Sequence, residues 1–387
     1  MESSSTILDR SRANQAVDAG LRVGAAMPLE PGGRIRLTSE RHAAQTRDLR
    51  IDSLRVAGAL AIVWLHASAR VIGQNPDVHN TAWWIGNVAD SFSRWGVPVF
   101  IMISGALLLA RPIDLELGRY YRRRAARLLA PLAFWSAFYL GLLAFRMGTF
   151  DAYLSAKLIL IGRPAPHLWF LYMIVGLYLF APFLRVVATR GTPTWRIAFI
   201  SLCFAVATFE GLVETWKGGV PDTFLSEFPL YIAYFVAGHE LLARPCRIRT
   251  SRLLALIVVC GALVALTTGA LLPSLGQKSW YLAYSYQNPL VVVLSLCVFQ
   301  LAVQRIDPAA SQTRRVLSGA LSRLAPITLG IYLIHPLWLE LLAGWGIDGF
   351  LLHPSIGIPV TVAITFSLSA VTAALISAIP YLRAVVR

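Results

Sequence analysis

Arg55 and His66 stand eleven residues apart in IDSLRVAGALAIVWLHA, residues 51–67, and the ten residues between them are glycine or apolar. An α-helix turns about 100° per residue, so the two side chains project from nearly one face, about 16 Å apart along the axis. A guanidinium presents a fork of donors that fits a phosphate. A neutral imidazole is suited to draw a proton from a hydroxyl. A substrate phosphorylated at one end and reactive at the other matches that span, and both acyl-coenzyme A and a polyprenyl phosphate have this form. Asp52, one turn before Arg55, is placed to pair with it. The plain alternatives are an arginine at an ordinary helix end and a histidine satisfied by a packed neighbour.

Two further groups fall at the depth of His66. In ITLGIYLIHPLWL, His335 lies about ten residues into its apolar run, and in RWGVPVFIMISGALLL, Ser104 lies a similar distance from the opposite edge. His66, His335 and Ser104 are therefore expected in one layer around a buried polar chamber, since ionisable groups at mid-membrane face the protein interior. Ser104–Gly105 also reads as a small-residue contact between helices, and His335 as a hydrogen-bonded core group.

The elements that must hold these groups are membrane helices. The 387 residues are 56 % hydrophobic and 14 % charged, with a mean hydropathy of +0.61. One water-soluble core cannot hide that much apolar surface, whereas a lipid-embedded protein turns it toward acyl chains. A span needs about 20 apolar residues to cross ~30 Å of hydrocarbon. That ruler gives ten spans: 53–73, 95–112, 128–146, 167–187, 195–213, 226–243, 253–272, 285–304, 324–344 and 357–380. The weakest is 226–243, which carries His239 and Glu240.

The basic residues test the count. With the N-terminus cytoplasmic, 27 of the 35 Lys and Arg fall on the cytoplasmic side and 7 outside, with Arg55 at the start of the first span. That is the positive-inside bias. The expected fold class is an all-α integral membrane protein of about ten transmembrane helices, both termini cytoplasmic. The net charge of +15 follows from this orientation, so nucleic acid is not an expected partner and the lipid bilayer is. Residues 1–50 read as a disordered basic cytoplasmic tail and 51–387 as the transmembrane domain. AYLSAKLILIG, after residue 150, reads as an amphipathic piece at the outer interface, and GRYYRRRAARLLAP, 118–131, as a basic helical lead-in to the third span. The four cysteines have no paired or finger-like spacing, and neither a metal nor a tightly bound cofactor is expected.

These residues resemble the membrane acyltransferase 3 family, the O-acyltransferases of bacterial cell-envelope and exported polysaccharides, and most of all the branch with the enterobacterial common antigen O-acetyltransferase. The resemblance covers about residues 48–380. IDSLRVAGALAIVWLH matches the family's arginine–ten residues–histidine signature, and RRRAARLLAP resembles its Arg-x-x-Arg motif, on Arg124 and Arg127. RWGVPVFIMISGALLL, HLWFLYMIVGLYLFAPFLR, YFVAGHELL and LGIYLIHPL are similar to its other recurring segments. The resemblance implies transfer of an acyl group, usually acetyl, from cytoplasmic acyl-CoA to a sugar hydroxyl. His66 with Arg55 would be catalytic, and Arg124, Arg127 and Arg55 would bind the acyl-CoA, with Asp52, Ser104 and His335 in support. The expected partners are acyl-CoA, a glycan or lipid-linked saccharide acceptor, and other polysaccharide-assembly proteins. A transporter or flippase of a lipid-linked sugar, using the buried histidines as a proton relay, is the competing expectation.

Overall fold

The computed structural model describes residues 48–386 apart from 75, 111–116, 218–222, 277 and 307–314. The expected tail therefore lies outside the described residues up to residue 47. Every regular element among the described residues is helical. In chain order the α-helices of six or more residues are α1 (Leu49–Gln74), α2 (Thr81–Ser91), α3 (Gly96–Leu109), α4 (Leu117–Met147), α5 (Ala152–Leu160), α6 (Trp169–Arg190) and α7 (Pro193–Lys217). There follow α8 (Ile232–Ala243), α9 (Thr250–Leu275), α10 (Lys278–Ala283), α11 (Pro289–Arg305), α12 (Arg315–Leu324), α13 (Thr328–Gly344) and α14 (Pro354–Ala378).

Among the described residues, eight stretches are long and apolar enough to cross a bilayer: α1, α2 with α3, α4, α6, α7, α9, α12 with α13, and α14. The chain is an all-helical integral membrane protein. Large apolar side chains on its outer surface, such as Ile197, Leu202 and Phe209 of α7, fit contact with acyl chains.

Two of the ten expected spans are shorter than a crossing, and local chemistry explains both. Around Pro229 the chain forms a 3-10 turn, Phe228–Tyr231, so α8 begins only at Ile232 and its 12 residues rise about 18 Å. At the other, Asn288 caps α11 by accepting from the Leu290 N–H at 2.8 Å, and Pro289 follows as first helical residue, where its missing N–H costs nothing. That helix is 17 residues long. α8 is buried from Ala233 to His239, which explains its all-round apolar sequence.

α1 is central, packing on α2, α3, α13 and α14, while α3 packs most closely on α8. The latter contact depends on two glycines: a Cβ on Gly105 would collide with the Phe235 carbonyl, and one on Gly238 with the Met102 carbonyl. Small residues let membrane helices approach backbone to backbone, so α3 is clamped between α1 and α8.

Candidate active site

Arg55, Ile62 and His66 follow one another on α1 at spacings of seven and four, which is one stripe of a helix. The stripe passes two chambers. The near chamber, about 410 Å³, lies where α1 begins and is lined by Arg55, Ser104, Arg124 and Arg127 among apolar side chains. The far chamber, about 400 Å³, is lined by His66, Asp90, Arg94, His167 and Glu227, with Trp169, Tyr231, Trp280, Tyr284 and Tyr286 supplying aromatic faces. Ile62 and Tyr332 line both. These two side chains form the partition, and His66 stands one helical turn beyond it.

In the near chamber, Arg55 pairs with the buried Asp52 at 3.6 Å. Arg124 lies over the rings of Tyr120 and Tyr178, 5.6 and 6.0 Å from their centroids, a cation–π arrangement that directs the guanidinium along the chamber wall. The Tyr120 hydroxyl donates to the Tyr178 carbonyl at 2.9 Å, which ties α4 to α6 at this point.

His335 is fully buried, and its ring centroid lies 5.0 Å from that of His66. Its tautomer follows from the chain. Pro336 has no N–H, so it cannot donate to the carbonyl of Tyr332 four residues back. The His335 Nδ1–H donates there instead, at 2.6 Å. A carbonyl only accepts, so Nδ1 carries the proton and Nε2 is left as an acceptor. That nitrogen is buried and has no hydrogen-bond partner. The carbonyl after it, Leu333, takes the Tyr139 hydroxyl at 2.7 Å.

His167 completes a row of three imidazoles, 5.8 Å from His335, and its backbone carbonyl accepts the Tyr332 hydroxyl. Beside them lies the buried ion pair of Asp90 and Arg94. Arg94 sits 4.1 Å from the Tyr284 ring centroid and donates to the Tyr284 carbonyl at 3.3 Å. The Tyr284 hydroxyl donates to Asn87 Oδ1 at 2.6 Å, and Asn87 Nδ2 donates to the Ala265 carbonyl at 2.9 Å. A buried charge pair is tolerated only when such a network surrounds it.

The structure thus brings His335 to His66 and gathers Arg55, Arg124 and Arg127 in one chamber. Ser104 does not join the histidine layer. It lines the near chamber, which ends at Ile62, and its neighbour Gly105 makes the helix contact. Sequence reasoning missed His167, Asp90, Arg94 and Glu227. The signal for Asp90 and Arg94 was an i,i+4 pair of opposite charge on the apolar approach to the second span.

A multi-pass helical bundle with a polar interior is the class of protein that these features define. Residues 48–376 match the family described as "Acyltransferase domain"; the chain belongs to the acyltransferase 3 family and is a membrane acyltransferase. No curated protein and no solved structure matches the chain. Membership in this family does not favour the transporter alternative.

Proposed function

We propose that the protein transfers an acetyl group from cytoplasmic acetyl-CoA to a hydroxyl of a cell-envelope or exported glycan, or of its lipid-linked precursor, in the bacterial inner membrane. The observation that carries this reading is that His66 lines the far chamber one turn past the Ile62–Tyr332 partition, with three arginines lining the chamber behind it. The abundance of Lys and Arg in alternate loops favours the near chamber as cytoplasmic. The likeness to the enterobacterial common antigen branch favours acetyl.

Arg124 and Arg127 would hold the coenzyme's phosphates by charge-assisted hydrogen bonds, with Arg55 closer to the partition. The pantetheine arm would pass Ile62 and Tyr332. The acceptor sugar would lie against the aromatic faces of the far chamber, with its polar groups on the charged side chains there. His66 then takes the hydroxyl proton as that oxygen bonds to the thioester carbon. The C–S bond breaks, and the departing thiolate receives the proton. The buried Nε2 of His335, which has no hydrogen-bond partner, would be available to accept from the His66 ring N–H, and that would leave the other His66 nitrogen to act as base. The family match supports the reaction class, and the charge bias of the loops favours travel from the near chamber to the far one.

The test is His66→Ala. Purified protein with labelled acetyl-CoA and envelope glycan should lose release of free coenzyme A by about 10²–10⁴-fold, the usual contribution of a general base, while membrane abundance stays normal. Undiminished transfer would remove His66 from the mechanism.

A further inference from the structure

A third chamber reaches His66 from the side. Its volume is about 820 Å³, twice that of either chamber above. It is bounded by α4, α13 and the segment that runs from α5, and its wall is mainly aliphatic, with Leu142, Leu143, Leu158, Ile161 and Leu339. No residue of α5 is buried. Tyr153, Ile159 and Leu160 are exposed on it, in a short helix that also carries Lys157. A helix of that composition lies flat at the headgroup boundary, so this chamber faces the side of the bundle at that level.

An aliphatic cavity alone would simply hold lipid tails. This one also contains Arg70, Arg146 and Arg163 against one carboxylate, Glu340. Arg146 pairs with Glu340 at 2.7 Å, both about half-exposed. Arg70 donates to the Leu339 carbonyl at 3.2 Å, and Arg163 reaches Glu227 at 3.5 Å. Counting Glu340 against Arg146 and Glu227 against Arg163, these side chains keep a formal excess of one positive charge in largely apolar surroundings, where a cation is costly unless an anion meets it.

The third and far chambers share His66, Ala69, Arg163 and His167. One molecule with a polar head and a hydrocarbon tail can therefore occupy both, and it bends past His66 and Arg163 in doing so. The geometry points to the third chamber as a lateral port for an acceptor carried on a phosphate-linked lipid, with the sugar in the aromatic chamber, the phosphate at Arg163 and the hydrocarbon among Leu142, Leu143 and Leu339. This rests on the reading of His66 as the transfer centre. It makes the acceptor a lipid-linked saccharide and puts the modified sugar beside the carrier phosphate. A bulk glycerophospholipid has a tail and a phosphate but nothing to fill the aromatic chamber.

The experiment uses the full-length protein in phosphatidylcholine nanodiscs, with a long-chain polyprenyl phosphate and the matching neutral polyprenol as probes, read by native mass spectrometry. The phosphate should be retained about tenfold or more over the alcohol, a difference of one charge-assisted contact. Leu143→Trp, which fills the port, and Arg163→Gln should each lower that retention by about the same factor, while coenzyme A binding by the same preparations is unchanged. Equal retention of phosphate and alcohol, or retention that neither variant moves, would overturn the port; so would a Leu143→Trp effect confined to the chain length of the acyl donor. His66→Ala should leave polyprenyl phosphate binding intact. Loss of binding alongside His66-dependent transfer to a soluble glycan would sink this inference and spare the proposed reaction.

Discussion

The two chambers that meet at Ile62 and Tyr332 hold their charges in different ways. In the near chamber the guanidiniums ride on partly exposed side chains: Arg55 is 33 % exposed, and Arg127 is exposed on the lead-in of α4. In the far chamber Asp90 is fully buried and Arg94 14 % exposed; Arg94 is fixed between Asp90 and Tyr284, and Tyr284 is held in turn by Asn87, which bonds the Ala265 carbonyl. Flexible cations suit a donor that arrives from water and leaves again. A locked pair suits an acceptor that must be held in one pose while a bond forms. The difference separates capture from alignment.

The largest effect that would break this contrast is expected at the locked pair. Asp90→Ala leaves the Arg94 cation buried without its partner, and loss of one member of a buried pair costs about 3–5 kcal/mol. Thermal unfolding in detergent should show a clear drop, and an unchanged midpoint would mean that the far chamber is as pliant as the near one. Next comes the near chamber itself. Arg124→Ala with Arg127→Ala should raise the apparent KM for acetyl-CoA by about tenfold or more, since each hydrogen bond to a charged group is worth about 1.5–3 kcal/mol, with the unfolding midpoint nearly unmoved. A KM equal to the parent's would leave those arginines only as anchors on anionic lipid. The smallest effect is expected at Pro336→Ala. The new N–H can donate to the Tyr332 carbonyl and so compete with His335 Nδ1, one hydrogen bond of about 1 kcal/mol. A loss in kcat of several-fold, with KM for acetyl-CoA kept, is the expected outcome; no change in kcat would mean that the His335 tautomer does not matter to the reaction.

What could be read from the chain follows from how rigidly each relation is set. Arg55, Ile62 and His66 share one helix, and helical geometry alone places them in a stripe. Ser104 and His335 were placed by depth, and depth gives a height in the bilayer but no direction around the helix. So His335 came to His66 while Ser104 turned to the other chamber. The shared cavity of Arg55 with Arg124 and Arg127 joins two helices far apart in sequence, and only the motif's likeness to a family hinted at it. Asp90 and Arg94 were hidden because a ruler for apolar spans stops where charges begin, at residue 95, although the helical stretch starts at Thr81. The shortness of α8 and α11 was written in Pro229, Asn288 and Pro289, which local capping rules read and a hydropathy window averages away.

Under the proposed function the Ile62–Tyr332 partition would carry a second duty. If the bundle opens toward water at both ends, these two side chains are also the insulator across which the cell's ion gradient falls. The acyl group would then have to be handed through a gap that closes around it like a gasket, and thinning that seal would be felt first as leakage of protons, before any change in transfer.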